Sequence, residues 1–254
     1  MHVLIVYSHP EANSFNGMLK DVAAETLTAQ GHTVEVSDLY GEGFDPIERP
    51  AHYRERAMTE MFSPLAEQKA AGAAGTLPAD VRREIARLER ADLVILQFPM
   101  WWHGLPAMLK GWYDRVFVNG ALYTSRMRYD RGYFRGRRAM CSFTSGAPRD
   151  AFGPASRGGD LDAMLYPIQY SLYYMGFDVL PPFHADAIQG HGYSYQDSKA
   201  FERHLASHKA AWARRLAAIE ADTPLPFPGW RDWDEMGRLR RDAATASRPD
   251  QTGA

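Results

Sequence analysis

The 254-residue sequence predicts an α/β fold in which helices cover both faces of a parallel sheet. Short, continuous apolar runs, typical of strands buried on both faces, alternate along the chain with segments of helical periodicity. Polar or proline-rich loops follow the first, third and fourth apolar runs, at the carboxyl edge of such a sheet. Ligands bind at that edge in open α/β sheets. We therefore expect a doubly wound, five-stranded parallel sheet in the order 2-1-3-4-5, with a ligand site at its carboxyl edge.

Each predicted element is justified by its pattern and by a stop signal at its end. The apolar runs predict strands at residues 3–7, 33–39, 93–98, 138–144 and 179–183. Helical periodicity predicts helices at residues 15–30, 79–90, 107–118, 160–175 and 197–220, the fourth broken near Pro167. Residues 40–76 read as a long connection, of the kind that usually serves function or a partner contact.

Composition excludes several classes of protein. The net charge of −2 gives no basic surface for nucleic acid, and the single cysteine, Cys141, excludes an internal disulfide framework. No apolar run approaches the roughly 20 residues that a membrane helix needs. The first residues lack a basic segment and a cleavage site, and they read as a strand. We expect a cytoplasmic protein with neither nucleic-acid binding nor membrane insertion.

The loop that follows the third predicted strand is the most informative part of the sequence. It follows an apolar strand, begins at Pro99, and contains Trp101, Trp102 and His103 before Pro106 opens the next helix. Large flat side chains with few charges suit a large flat ligand, and a flavin ring is the leading candidate. Packing of the two tryptophans into the core is an equally good explanation of this loop taken by itself.

The loops that follow the first and fourth predicted strands add to this interpretation. Ser14 is suited to cap a helix whose free N–H groups attract phosphate, with Asn16 and His9 as further donors. The stretch from Thr144 to Pro148 is small, so its backbone N–H groups can approach a ligand and stabilise negative charge. An ordinary cap and a simple turn remain alternative explanations. Neither a dinucleotide fingerprint nor a Walker lysine is present.

Other candidate residues carry less weight. His204 and His208 have metal-ligand spacing on a predicted helix, but no acidic residue completes an H-E-x-x-H motif, and we expect no metal. Six arginines between residues 126 and 138 are interrupted by aromatic and acidic residues, as in a solvated loop. Cys141 has no nucleophile signature, and Gly-x-Ser-x-Gly is absent, so hydrolase chemistry has no support.

Several segments resemble the NAD(P)H:quinone oxidoreductases of the FAD-containing, DT-diaphorase type. The resemblance extends over roughly residues 3–225, in largely conserved order and spacing. It is carried by the segments 14–16, 36–40, 91–95, 97–104, 109–112, 115–117, 123–124, 129–130, 159–160, 167–169, 176–177 and 223–225.

The resemblance implies a flavodoxin-like fold, a bound flavin and a homodimer with active sites at the subunit interface. It implies that hydride passes from NAD(P)H through FAD to a quinone by alternating, ping-pong binding on one face of the flavin. The residues implied to hold the cofactor are His9, Ser14, Phe15, Asn16, Pro99, Met100, Trp101, Trp102, His103, Thr144, Ser145, Gly146, Ala147 and Phe152. Those implied to wall the substrate site are Trp102, Tyr123, Ser125 and Tyr174. Closest to the chemistry would be Trp102, His103, Gly146 and Ala147.

The sequence departs from the family pattern at three places. The family has a tyrosine and a histidine near the flavin, and the corresponding positions here are Phe152 and Gly158. An aromatic residue that usually follows the loop tryptophan is replaced by His103, whose imidazole is a candidate proton donor or a solvent-facing bystander. Loss of the side-chain relay would slow flavin reduction by about 10–100-fold.

Other functions stay open at this stage. The same scaffold serves flavin-binding electron carriers, regulatory subunits of potassium-efflux systems, and reductases of azo and nitro compounds. FAD is favoured over FMN because the resemblance is to the longer FAD-binding branch, with the adenosine contacts expected in residues 62–75. We expect a catalytic domain at residues 1–225 and a partly disordered extension at residues 226–254.

Overall fold

All pairings in the sheet are parallel, and its strands follow the order β2-β1-β3-β4-β5, with β6 also paired to β4. The computed structural model describes residues 1–190, 196–241 and 243. The strands are β1 (His2–Tyr7), β2 (Thr33–Asp38), β3 (Leu93–Pro99), β4 (Arg138–Thr144), β5 (Asp178–Val179) and β6 (Phe183–Ala185). The helices are α1 (Phe15–Ala29), α2 (Pro64–Ala74), α3 (Ala79–Arg90), α4 (Ala107–Val116), α5 (Leu161–Tyr174) and α6 (Ser198–Ala217). The predicted doubly wound class and strand order are confirmed.

Alternation along the central strands separates two cores. Val3, Ile5 and Ile95 pack with α1 and α6 on one face, where Trp212 is fully buried and its indole N–H donates to the carbonyl of Leu19 at 3.1 Å. The strand residues that alternate with Val3, Ile5 and Ile95, such as Val94, pack with α3, α4 and α5 on the other face. Burial on both faces explains why these strands read as continuous apolar runs.

The prediction of one fifth strand at residues 179–183 is wrong in detail. The edge consists of two short pieces: β5 pairs with the start of β4, and β6 pairs with its end. Pro181 and Pro182 lie between them and have no N–H to donate to a ladder. The two prolines therefore interrupt the strand, and the sheet has six strands where the sequence predicts five.

Two helices also differ from the sequence prediction. The long connection at residues 40–76 contains α2, which begins with Pro64 in its first turn and ends at Gly75 in the left-handed region (φ 72°). The buried carboxylate of Glu67 on α2 fixes the preceding loop by accepting from Arg56 and from the N–H of Ala57, both at 2.7 Å. The predicted break in α5 does not occur, because Pro167 lies on its exposed side, where water can satisfy the freed carbonyl group.

The described part of the C-terminal extension packs against the rest of the chain. The indole N–H of Trp230 donates to the carbonyl of Arg128 at 3.0 Å, and Phe227 stacks on Tyr173 with ring centroids 4.7 Å apart. The division at residue 225 stays a prediction, and the tail beyond residue 243 lies outside the described residues. Within the described ranges, no helix is long and apolar enough to cross a membrane.

A buried carboxylate joins β2, α3 and α4. Glu84 on α3 is inaccessible to solvent and accepts from the hydroxyl of Ser37 at 2.7 Å and from the indole N–H of Trp112 at 2.9 Å. Its other oxygen pairs with Arg87 at 2.6 Å. The three partners lie on three different elements, so this one side chain fixes how they pack.

We predict that Glu84→Ala lowers the free energy of unfolding by about 2–4 kcal/mol, because it leaves the buried Trp112 indole N–H and Ser37 hydroxyl without their acceptor, while Arg87 keeps its pairs with Glu35 and Glu42. Chemical denaturation followed by circular dichroism measures the change. Glu89→Ala is the matched control, since Glu89 is exposed on the same helix and bonds only at the surface, to Tyr133. Equal stability of the two variants would contradict the assignment of Glu84 as the link.

Candidate functional site

The loops after β1, β3 and β4 lie side by side, as the strand order requires. Backbone bonds continue past the strand ends: the N–H of Ser8 donates to the carbonyl of Gln97 at 3.0 Å, and that of Met100 donates to the carbonyl of Thr144 at 2.8 Å. The three loops singled out from the sequence therefore share one edge of the sheet.

Asn16 ties α1 to this edge. Its Nδ2 donates to the hydroxyl of Thr144 at 2.8 Å, and its Oδ1 accepts from Nε2 of Gln97 at 2.9 Å. All three residues are buried. The sequence predicts Asn16 as a side-chain donor to phosphate, but its amide is engaged on both sides within the protein. Its backbone N–H lies in the first turn of α1, where N–H groups have no helical partner.

The turn before α1 presents the helix N-terminus. The hydroxyl of Ser14 accepts from the N–H of Gly17 at 3.1 Å, as an N-cap does, and leaves the earlier N–H groups of the first turn free of helical partners. The Nδ1 of His9 lies 3.0 Å from the backbone nitrogen of Glu11 and 3.1 Å from its carbonyl oxygen, so the same residue offers it both a donor and an acceptor. Burial lowers the pKa of His9, so the ring is mostly neutral near pH 7 and acts as a hydrogen-bond donor.

The tryptophan loop is a tight turn that faces outward. Trp101 and Gly104 exchange two backbone hydrogen bonds, of 3.2 and 3.0 Å, while Trp102 and His103 between them have φ values of 49° and 61°. This backbone is that of a type I′ turn, which glycine and asparagine favour, so each residue costs of the order of 1 kcal/mol there. Trp102 is 97% exposed. The packing explanation from the sequence fails for this residue, because the turn holds its ring away from the core.

In the loop after β4, the hydroxyl of Ser145 is hydrogen-bonded within the protein, whereas the backbone at Gly146 is exposed. Ser145 donates its hydroxyl proton to the carbonyl of Ala147 at 2.9 Å and lies 2.7 Å from Nε2 of His184. With that proton used, His184 must donate from Nε2. Gly146 is exposed, and the atom nearest to where its Cβ would lie is the carbonyl oxygen of Ile188, 3.8 Å away. A ligand can therefore approach the N–H groups at residues 146 and 147, whereas the serine side chain is used internally.

The sequence analysis did not identify His184. Its ring stacks on Phe143 with centroids 4.6 Å apart and meets the edge of Phe152 at 5.7 Å. Burial lowers its pKa to about 4, so the imidazole is neutral, and its Nδ1 has no partner among the described residues. A polar residue between Phe183 and Ala185 in a short edge strand was the available signal.

The two positions that depart from the family pattern lie against each other. A Cβ on Gly158 would lie 2.7 Å from the carbonyl oxygen of Ala151 and 3.0 Å from the ring of Phe152. A histidine at residue 158 would therefore require the backbone to shift. The local packing is built for glycine, and His184 is the imidazole that contacts Phe152 instead.

The predicted substrate residues separate into two groups. Tyr123 and Tyr174 meet edge to face with centroids 5.6 Å apart and line a cavity of about 510 Å³, which also borders α2 and α4. Arg128 donates to the hydroxyl of Tyr174 at 3.2 Å. Trp102 and Ser125 do not line this cavity, and both are exposed in the described structure. A single chain therefore does not assemble the four residues into one wall.

Cys141 takes no part in the site. It lies in β4, is fully buried, and burial raises the pKa of its thiol to about 12. The thiolate, which is the nucleophilic form, is therefore negligible near pH 7.

Comparison with known proteins assigns the chain to a family. The family described as having a flavodoxin-like fold matches residues 1–216. A ribosyldihydronicotinamide dehydrogenase [quinone] of Pongo abelii is 37% identical over 88% of this chain and 94% of the relative. NAD(P)H dehydrogenase [quinone] 1 of Cavia porcellus is 38% identical over 88% of this chain and 79% of the relative. A solved structure described as a quinone reductase of Klebsiella pneumoniae is 35% identical, with a TM-score of 0.87 over 98% of this chain and 97% of that one.

We predict that Asn16→Ala costs about 1–3 kcal/mol of stability, since it leaves the buried Thr144 hydroxyl and Gln97 amide without their partner. Asn13→Ala, three residues earlier and exposed, is the matched control and stays within about 0.5 kcal/mol of the parent. Thermal unfolding of the flavin-free proteins measures both. An unchanged Asn16 variant would show that the three loops do not depend on this bridge.

Proposed function

The chain belongs to the flavodoxin-like family, together with the NAD(P)H:quinone oxidoreductases, and we propose that it is a flavin-dependent enzyme that reduces a quinone with NAD(P)H. The single observation that carries the proposal is the Trp102 turn, which presents an indole ring almost entirely to solvent beside the N-terminus of α1 and the loop of the exposed Gly146. When bound there, a flavin would supply the acceptor of a hydride from NAD(P)H and its donor to the quinone.

Each loop offers a group suited to one part of a flavin. The first-turn N–H groups of α1 are placed for phosphate, aided by the helix dipole. The backbone at Gly146 and Ala147 can donate to the pyrimidine edge, where negative charge develops on reduction. Pro99, Met100 and Trp101 supply an apolar wall between these two ends. Orientation of donor and acceptor against this wall is the main catalytic contribution that we assign to the protein.

The site lacks the family's side-chain relay. Phe152 has no proton to give, and Gly158 has no side chain. We propose that backbone donors carry the charge of the reduced state, with His103 as the nearest exposed titratable group in the turn. The consequence is slower flavin reduction than in relatives that keep the relay, by the factor of about 10–100 expected for general acid–base catalysis at its lower end.

We propose FAD as the cofactor. The high identity to quinone oxidoreductases over most of their length supports the longer branch of the family, and α2 supplies structure in residues 64–74, within the region expected to contact the adenosine. FMN is the alternative, and identifying the flavin released from the purified protein distinguishes the two cofactors. Anaerobic reduction of the flavin by NADH and by NADPH shows which nucleotide is preferred.

We also propose that the active form is a homodimer. Trp102 is 97% exposed at the tip of its turn and does not line the cavity of Tyr123 and Tyr174 within one chain. Two copies related by a two-fold axis would bring the turn of one subunit to the cavity of the other. The substrate wall would then be complete.

The proposed activity is tested by anaerobic spectroscopy of the purified flavoprotein. NADH or NADPH is expected to bleach the flavin absorbance, and a benzoquinone to restore it. A flavin that stays oxidised with both nucleotides would overturn the enzyme proposal and favour an electron carrier or a regulatory subunit. His103→Phe in the same assay tests its role: full retention of turnover would show that the imidazole is not the proton source.

The shared site is tested by complementation between subunits. Trp102→Ala and Tyr123→Ala homodimers are each expected to lose most quinone reductase activity. If the site joins Trp102 of one subunit to Tyr123 of the other, each mixed dimer contains one intact site. Unfolding and refolding the two variants together should therefore restore about a quarter of the parent's activity. About half of the dimers would be mixed, and each mixed dimer would have one of its two sites intact. Co-refolding that restores nothing would place both residues in the same chain's site.

A further inference from the structure

Two histidines of α6 meet an aspartate of the sheet edge. His204 and His208 are one helical turn apart, and their Nε2 atoms lie 3.1 Å from each other. Both nitrogens point at the backbone carbonyl oxygen of Asp186, at 2.8 and 3.1 Å. The carboxylate of Asp186 lies 3.6 Å from Nε2 of His208. The sequence supplied the histidine pair without an acidic partner, and the fold adds the partner from just beyond β6.

We propose that Asp186, His204 and His208 bind a divalent transition-metal ion, Zn²⁺ in the first instance. The ligand atoms of the three side chains all lie within 4.8 Å of one another. An ion held at about 2.0–2.1 Å by each of two nitrogens separates them by roughly 3.0–3.4 Å, and the two Nε2 atoms already have that spacing. The carboxylate, 3.6 Å from Nε2 of His208, would move closer to both nitrogens to complete the ligand set.

The surroundings hold the aspartate in place. The backbone N–H of Arg149 donates to Oδ2 of Asp186 at 2.8 Å, which leaves Oδ1 directed at His208. An outer hydrogen bond of this kind orients a ligand before the metal arrives. In the metal-free protein the two imidazoles can donate from Nε2 to the Asp186 carbonyl. On binding the ion through Nε2, each ring would carry its proton on Nδ1 instead and stay neutral.

The donor set decides the class of metal. Two imidazole nitrogens with one carboxylate suit Zn²⁺ and its neighbours Co²⁺ and Ni²⁺, whereas Mg²⁺ and Ca²⁺ prefer oxygen ligands throughout. Three protein ligands leave a coordination position open. The ion would join α6 to the segment that follows β6, and His208 also packs edge to face against Phe15 in the first turn of α1, with ring centroids 6.4 Å apart.

The site is tested by metal binding to the intact flavoprotein without a histidine tag. After treatment with a chelator, Zn²⁺ is titrated in a calorimeter, and Co²⁺ is followed by its visible bands beyond the flavin absorbance. One ion per chain is expected. His204→Ala and His208→Ala should each weaken binding at least ~10-fold, and Asp186→Asn by a similar factor. Zn²⁺ should raise the melting temperature of the parent protein but not that of the histidine variants.

Two controls keep the result specific. Ser207→Ala changes an exposed neighbour on the same turn of α6, and His52→Gln removes a histidine that lies between Asp45 and Glu48 elsewhere. Both should bind Zn²⁺ as the parent does. His208→Gln, which keeps a polar side chain, serves if the alanine variants fail to fold. Absence of stoichiometric binding, or equal binding by the histidine variants, would overturn the proposal, and neither outcome depends on the flavin being reduced by NAD(P)H.

Discussion

The arrangement of the site depends on the buried hydrogen bonds of Asn16. One amide joins the first turn of α1 to the ends of β3 and β4, so three loops from distant parts of the sequence take fixed positions relative to one another. Polar groups at this depth are costly unless paired, and the pairing here leaves few alternative arrangements for the loops. This constraint places the N-terminus of α1, which Ser14 caps, beside the Trp102 turn.

The site uses backbone groups more than side chains. Ser145 and Asn16 are engaged within the protein, and Phe152 has no polar atom, whereas the first N–H groups of α1 have no helical partner and Gly146 is exposed. Preorganised backbone dipoles need no reorganisation as charge develops, so a site without a side-chain acid can still support hydride transfer. In the homodimer that we propose, the exposed Trp102 of one chain would meet the cavity at Tyr123 of the other.

The sequence was sufficient for the fold and for bringing the three loops to one edge of the sheet, because both follow from periodicity and from where apolar runs stop. Residues 79–90 and 138–144 are predicted to the residue. The failures have local causes. Pro181 and Pro182 divide one predicted strand, and α2 was hidden by the proline and glycine residues around it. Side-chain partners over long sequence separations, such as Asn16 with Thr144, or Asp186 with the histidines of α6, could not be predicted because no local pattern encodes them.

A titration of flavin-free protein with FAD and FMN tests the central claim, that the three loops form one flavin site, most directly. Flavin fluorescence should be quenched as the ring packs beside Trp101 and Trp102, with saturation at one flavin per chain. Trp101→Ala should reduce the quenching, whereas Trp230→Ala, in the packed C-terminal segment, should not. A flavin that binds without quenching, or to the same extent when Trp101 and Trp102 are both replaced, would contradict the account.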